Sequence, residues 1–485
     1  MNENTPNAST GLPMARRIGL FLGPIFMMLT IFLPAPSDMS SEAWAALGLL
    51  LFMATWWSTE AIPIPATALL PICLIPALGL GTIKEATAPY ANPLIFLFLG
   101  GFALGLSMQR WNLHRRIALV TLRMVGSQPR RQIAGFMAAT AFLSMWVSNT
   151  ATTIMMLPIG LSILHMMKSA DEGEAGRFAK ALLLAIAYSA SVGGIATLIG
   201  TPPNALLAGY LLDNHDITVG FLQWMLIGVP IATIMLFFIW WWLTLGGFAL
   251  ESGESSGALI REQLQKMGSM STGEKRVGII FLITAAAWIS QPLLSENLIP
   301  WLDDTTIAIA AAIVLFLTPV DLQKREFVLD WDTAQNIPWG VLLLFGGGLA
   351  MAAVIASSGL AGWIAESLTV LDMLPTIFMI AVVGTVIIFL TEVTSNTATA
   401  AAFLPLMGAL AIATDVPPEL YTVPAAIAAS CAFMMPVATP PNAIVFAGGQ
   451  LEIGDMIRAG FVLNLIGIVV VTLLGYLLMG WVFGI

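Results

Sequence analysis

Val147-Ser148-Asn149-Thr150-Ala151-Thr152 and Thr394-Ser395-Asn396-Thr397-Ala398-Thr399 are near copies of one another. Extended, the pair reads SNTATTIMMLP from Ser148 and SNTATAAAFLP from Ser395, so that Leu157-Pro158 also matches Leu404-Pro405. Each copy sets small hydroxyl and amide side chains in the middle of an apolar segment. Polar groups at such a place are costly in lipid and normally face a cavity or a partner. Ser, Thr and Asn acting as adhesive between helices would account for one such cluster. A cluster duplicated inside a duplicated half reads as a binding site.

The surrounding composition sets the class. Of 485 residues, 58% are hydrophobic and only 10% charged, with a mean hydropathy of +0.89. Apolar runs near 20 residues recur along the chain, the pattern of an all-α polytopic membrane protein. The net charge of −9 argues against a nucleic-acid partner. Cys73 and Cys431 sit in apolar surroundings and imply no disulfide framework, and His114, His165 and His215 have no metal-ligand spacing.

Working outward, residues 1–17 form a polar tail ending in Arg16-Arg17, and 18–34 is the first crossing, basic end in the cytoplasm. A cleaved signal peptide fits poorly, because the leading region is long and no small-x-small site follows. Crossings are expected at about 43–60 and 61–80, divided at Ile62-Pro63-Ile64-Pro65, and at 92–109 with Gly100-Gly101. Arg110, Arg115, Arg116, Arg123, Arg130 and Arg131 then alternate with Leu113, Ile117, Val120 and Leu122. That spacing predicts an amphipathic helix along the cytoplasmic interface.

Both ends of 132–167 are basic, with Lys168, Arg177 and Lys180 beyond. Two arms of about 16 residues reach only about 24 Å, less than the hydrocarbon core. A re-entrant hairpin with Ser148-Asn149-Thr150 at its tip fits both facts. The next crossing, 181–212, breaks at Gly200-Thr201-Pro202-Pro203-Asn204, where two prolines remove donors and free carbonyls. Residues 221–246 cross back, and the Ser/Gly-rich stretch 247–276 with Arg261, Lys266, Lys275 and Arg276 links the halves on the cytoplasmic side.

The order then repeats. Repeat 1 spans 40–246 and repeat 2 spans 277–485, with crossings near 278–295, 304–319 and 338–356, a second hairpin at 376–413, a second broken helix at 420–450 around Thr439-Pro440-Pro441-Asn442, and a last crossing at 459–483. The second Ser-Asn-Thr follows the first by 247 residues and the second Thr-Pro-Pro-Asn follows the first by 238, so the copies drift only by loop length. Residues 356–375 correspond to the arginine patch but contain no Lys or Arg, which sets the copies on opposite faces. The expectation is about 11 transmembrane helices plus two re-entrant hairpins in an inverted-topology repeat, the pattern of a secondary transporter with its site between the repeats.

The motifs contain no Arg or Lys. An anion there would rest on Ser, Thr and Asn donors and on helix N-termini. Cations would offset that weak field, and free carbonyls with Asn and Ser oxygens suit sodium. Glu392, just before the second motif, has two readings, a carboxylate that orients the tip or a paired structural carboxylate, of which the second is favoured.

Ser430-Cys431-Ala432-Phe433-Met434-Met435-Pro436-Val437-Ala438-Thr439-Pro440-Pro441-Asn442-Ala443-Ile444-Val445 resembles the signature of the divalent anion:sodium symporter family, as do the two Ser-Asn-Thr tips and both Thr-Pro-Pro loops. The resemblance covers roughly 18–485. It implies bacterial sodium-coupled uptake of C4-dicarboxylates such as succinate, malate and fumarate across the inner membrane, by a homodimer with scaffold and elevator-type transport domains, N-terminus cytoplasmic and C-terminus outside. It implies a first sodium site at Ser144, Ser148, Asn149 and Gly200, and a second at Thr391, Thr394, Asn396 and Ala438. Substrate contacts are implied at Asn149, Thr150, Thr201, Pro202, Ser395, Asn396, Thr397, Thr439 and Pro440. The competing readings are a sodium-independent dicarboxylate exchanger, a citrate- or sulfate-specific symporter of the same family, and a channel or sensor. No His/Asp/Glu constellation supports an enzyme.

Overall fold

The computed structural model describes residues 14–36, 38–126, 128–166, 172–248, 254–368 and 374–484. Residues 1–13 of the tail, the end of the first hairpin at 167 with 168–171 beyond it, 249–253 of the linker and 369–373 of the arginine-free stretch therefore lie outside the described residues.

The chain is almost entirely helical. The first half runs α1 (Met14–Phe32), α2 (Ser41–Thr59), α3 (Ile64–Thr67), α4 (Leu70–Ala77), α5 (Ile83–Thr87), α6 (Pro93–Arg110), α7 (Leu113–Val125), α8 (Pro129–Ser144), α9 (Asn149–Met166), α10 (Glu172–Ile195), α11 (Pro202–His215) and α12 (Phe221–Leu243). The linker carries α13 (Glu254–Met267). The second half runs α14 (Thr272–Asn297), α15 (Asp304–Leu317), α16 (Trp331–Ala334), α17 (Trp339–Ser357), α18 (Leu360–Leu368), α19 (Thr376–Thr391), α20 (Asn396–Ala413), α21 (Glu419–Ala429), α22 (Pro440–Ala447) and α23 (Ile453–Phe483). Among the described residues, eight helices are long and apolar enough to cross a membrane.

Element order repeats as the sequence predicts: α6–α12 correspond to α17–α23, one helix to one helix. The elements differ in detail from expectation at several places: α8 starts at Pro129, which puts Arg130 and Arg131 on the hairpin, α10 already starts at Glu172, and the linker carries a helix, α13. The crossing expected at 61–80 is two short helices, α3 and α4, because Pro63, Pro65, Pro71 and Pro76 remove four amide donors within fourteen residues. The second break is longer than the first: Ser430–Thr439 is non-helical, against Ala196–Thr201. An antiparallel pair, Pro319–Asp321 with Glu326–Phe327, interrupts the helices at the turn containing Lys324-Arg325.

The two halves interlock. α6 packs on α15, and α17 packs on α3 and α4. Each contact is a close crossing at a glycine: a β-carbon on Gly100 would overlap the backbone of Ala308, and one on Gly347 would overlap the backbone of Ala68. Hairpin α8–α9 starts beside the end of α12, where the Trp240 indole donates to the Arg130 carbonyl at 3.0 Å and the Arg130 guanidinium lies over the Trp240 ring. Hairpin α19–α20 instead ends beside α11, with Gly408 against Tyr210, near the start of α12. The two hairpin bases therefore sit at opposite ends of α12.

That arrangement makes a topological prediction. In a chain with Cys73 and Cys431 replaced, Gln128→Cys and Asp415→Cys, both at exposed hairpin bases, react with an impermeant thiol reagent from opposite sides of intact cells. Labelling of both from one side would contradict the inverted repeat.

Candidate functional site

The site is built at four helix starts. α9 and α20 begin at Asn149 and Asn396, while α11 and α22 begin at Pro202 and Pro440. Local chemistry fixes the second pair. Thr201 (φ −144°, ψ 143°) and Thr439 (φ −140°, ψ 150°) are extended, as a residue before proline prefers, and proline is pre-set for the first helical position. The helices exchange across the repeats: α22 packs on α9, and α11 on α20. The N–H groups of Asn149 and Thr150 on α9 and of Asn396 and Thr397 on α20, unpaired among the described residues, give a region of partial positive charge with no lysine or arginine in the motifs, whereas α11 and α22 open on two prolines each and their Asn204 and Asn442 amides are already bonded.

Behind each tip lies the same cluster of oxygen atoms. The Ser144 hydroxyl is 2.5 Å from Asn149 Oδ1 and 2.7 Å from the Ala190 carbonyl. The Thr391 hydroxyl is 2.7 Å from Asn396 Oδ1 and 3.0 Å from the Ala429 carbonyl. Gly194 lies flush against the Asn149 amide and the Gly200 carbonyl, so that a side chain on Gly194 would fill the space between them. Ser144, Asn149 and Gly200 are thus one neighbourhood, whereas the exposed Ser148 hydroxyl accepts from the Ala151 amide of its own helix start at 3.3 Å. In the second copy, Thr394 Oγ1 donates to the Leu390 carbonyl at 2.9 Å and meets Thr399 Oγ1 at 2.7 Å. Ala438 closes the break, its amide donating to the Met435 carbonyl. The hydroxyls of Thr150, Ser395 and Thr397 sit half-buried at the helix starts. Thr439 caps α22 by accepting from the Asn442 amide at 3.3 Å, whereas Thr201, also buried, makes no side-chain cap on α11.

Sequence reasoning gave no role to the residues that hold the breaks open. Asn204 Nδ2 donates to the carbonyls of Gly194, Ile195 and Thr197 at 3.1, 3.3 and 2.8 Å. Asn442 Nδ2 does the same for Ala432 and Met435 at 3.2 and 3.0 Å. Both asparagines are fully buried, and each staples a frayed helix end that lipid could not satisfy. The longer second break needs more. Glu392 Oε1 accepts from the Phe433 and Met434 amides and from Asn464 Nδ2 (2.7, 2.9 and 2.7 Å), and Oε2 from Met434 and Met435 (3.0 and 2.9 Å). The structural role expected of Glu392 is what its geometry shows. Its counterpart in the first repeat is Met145, whose carbonyl accepts from Thr197 Oγ1 at 2.6 Å. Asn464 was legible as a lone amide in the apolar 31-residue α23.

The copies also differ in exposure. Trp146 stacks on Phe221 and Trp288, with Phe281 edge-on, and is 7% exposed. The equivalent Val393 is 63% exposed. Ile199 is 6% exposed and its counterpart Val437 77%. The residues flanking the first tip and break are thus buried and those flanking the second exposed, while the Ser-Asn-Thr residues themselves are exposed or half-buried in both copies.

The residues 15–485 match the model of the family described as "Sodium:sulfate symporter transmembrane region". The chain is 43% identical over 481 residues to a sodium-dependent dicarboxylate transporter, SdcS, of Staphylococcus saprophyticus, and 42% identical to the SdcS of Staphylococcus aureus; each alignment covers 96% of this chain and 92% of the relative. Among solved structures, its fold is similar to the YdaH transporter of Alcanivorax borkumensis (TM-score 0.60, 14% identity, covering 97% of this chain and 99% of that one). It is similar also to MtrF of Neisseria gonorrhoeae (TM-score 0.58, 14% identity, covering 98% and 96%).

Two stability predictions come from the comparison of copies. Glu392→Ala strands three backbone donors and Asn464, and is expected to cost roughly 3 kcal/mol or more, read as a lowered unfolding temperature of the purified protein; an unchanged temperature would contradict the assignment. Val147 occupies the place of Thr394, which leaves Thr152 Oγ1 buried without the partner that Thr399 has. Val147→Thr is expected to be neutral or to stabilise by up to about 1 kcal/mol; a clear destabilisation would show that the two tips are not equivalent there.

Proposed function

We infer from the sodium:sulfate symporter family, to which this chain belongs, that the protein is a secondary transporter coupling sodium to the uptake of C4-dicarboxylates such as succinate, malate and fumarate. The observation that carries the reading is the duplicated oxygen cluster, Ser144–Asn149 and Thr391–Asn396, set directly behind two helix N-termini. Hard oxygen ligands suit sodium. The relatives named as sodium-dependent dicarboxylate transporters support the same cation and substrate class.

The proposed first sodium ligands are Ser144, Ser148, Asn149 and Gly200, and the second set Thr391, Thr394, Asn396 and Ala438. The proposed substrate groups are Asn149, Thr150, Thr201, Pro202, Ser395, Asn396, Thr397, Thr439 and Pro440. A dicarboxylate brings two negative charges to a place whose helix starts offer only about half a unit charge each. Sodium bound behind each tip adds the missing charge and holds the asparagine amides with their donors toward the anion. Binding is then ordered, sodium first, and each ligand raises the affinity for the other by the same factor.

Movement follows from the packing. The hairpins, broken helices, α12 and α23 contact one another and form the proposed transport body; α6, α14, α15 and α17 form the proposed scaffold. Trp146 packed against Trp288 of the scaffold beside one tip, and an exposed Val393 beside the other, is an asymmetry that supports alternating access. Repeat 1 (40–246) and repeat 2 (277–485) are joined by the linker 247–276. The protein is proposed to work as a homodimer in the bacterial inner membrane, N-terminus in the cytoplasm and C-terminus outside.

In proteoliposomes, Asn149→Ala and Asn396→Ala are expected to lower sodium-driven succinate uptake about tenfold or more, a loss of at least about 1.4 kcal/mol at a shared ligand. Thr397→Ala should raise the succinate KM while leaving the sodium dependence nearly unchanged. Succinate binding should disappear when choline replaces sodium. Undiminished binding in choline would favour the sodium-independent exchanger.

A further inference from the structure

Away from the tips, the end of α6 with α7, α13 and the start of α14 line an open surface pocket of about 370 Å³, among its residues Arg110, Arg115, Arg116, Trp111, Ser271 and Glu274. Two of its arginines are neutralised: Arg110 pairs with Asp330 at 2.6 Å, and Arg116 with Glu274 at 2.7 Å. Arg115 instead donates to the neutral Gln263 side chain at 2.9 Å. Among the described residues it has no carboxylate partner, which leaves one positive charge facing the pocket. Arg115 also forms the rim of a second, apolar cleft of about 70 Å³ between α7, α9 and α13, floored by Leu119, Pro158, Ile159, Leu259 and Ile260.

A cationic chamber and an apolar cleft that share one unneutralised arginine fit a ligand with an anionic head and an aliphatic chain. The outer face of α7 continues the pattern, with Val120 44% and Met124 82% exposed next to exposed Arg123. Apolar side chains exposed beside arginines at a chain end of a membrane helix bundle are the signature of an interfacial helix. We propose that this paired cavity binds an anionic phospholipid, its phosphate on Arg115 and the start of an acyl chain in the apolar cleft. The elements it touches come from three parts of the molecule: the arm α7, the linker helix α13 and, through Pro158 and Ile159, the hairpin arm α9. A lipid there bridges the first hairpin to its surroundings.

The test uses the full-length protein in neutral detergent, titrated with phosphatidylglycerol, with phosphatidylcholine and with inorganic phosphate, and read by thermal unfolding. Phosphatidylglycerol is expected to raise the unfolding temperature beyond phosphatidylcholine. Arg115→Gln should weaken the apparent affinity about fivefold, the effect of one interfacial arginine, while Arg115→Lys should largely retain it. Ile260→Trp, which fills the apolar cleft without touching the charge, should also weaken it. An unchanged affinity in both Arg115→Gln and Ile260→Trp would overturn the proposal. Stabilisation by inorganic phosphate equal to that by phosphatidylglycerol would overturn it as well, by assigning the chamber to a free anion.

Discussion

A peptide group without a hydrogen-bond partner has no place in the interior of a membrane, and the rest of this structure depends on how two deliberate breaks meet that constraint. Each Thr-Pro-Pro-Asn segment follows a helix that stops in the core of the bundle with its last carbonyls unpaired within it, and opens the next helix on two prolines that carry no N–H. Asn204 and Asn442 take up the carbonyls; Ser144 and Thr391 tie each hairpin tip to the helix that precedes its break. Because these polar staples are paid out among buried groups, the oxygen atoms that remain, at Asn149, Asn396 and the break carbonyls, are held in fixed positions. A selective ion site needs that fixity, and an ordinary transmembrane helix has no means of supplying it.

The second break shows the same constraint met differently. It is longer, its amides face inward, and a full carboxylate is used where the first repeat has Met145. Glu392 has no lysine or arginine beside it among the described residues; its charge is met by three consecutive amides and Asn464. Duplication gave the architecture, and local substitution then adjusted each copy. The buried Trp146 and the exposed Val393 belong to the same divergence. A site lying between two non-identical tips can be closed from one side while it stays open on the other.

Much of this was legible in the sequence because the signals are periodic or repeated. The hairpins, the paired breaks and the repeat order are read directly from SNTAT and TPPN, since prolines and mid-segment polar residues have few other physical explanations in an apolar chain. The amphipathic helix was legible from arginines at helical spacing and appears as α7, which holds Arg115, Arg116 and Arg123, while Arg110 ends α6 and Arg130 and Arg131 open α8. What was not legible depended on contacts distant in sequence. Asn464 stands out as a lone amide in α23, but its partner, Glu392, lies 72 residues away and no local pattern announces that pairing. The division of 61–80 into α3 and α4 was signalled by four prolines but was outweighed by the hydropathy of the run. The length of the second break could not be read from Thr439 onward, because it is set by the carboxylate that satisfies Phe433–Met435.

The central claim is that sodium and a dicarboxylate are bound together at the two tips and cross together. It is tested most directly by net accumulation. Proteoliposomes containing the purified protein, empty of substrate, are given an inward sodium gradient and labelled succinate outside, with no other driving force. The account predicts that succinate accumulates inside above its external concentration and that the accumulation collapses when a sodium ionophore dissipates the gradient. Labelled succinate that enters only when unlabelled dicarboxylate is preloaded, at a rate indifferent to sodium, would contradict it.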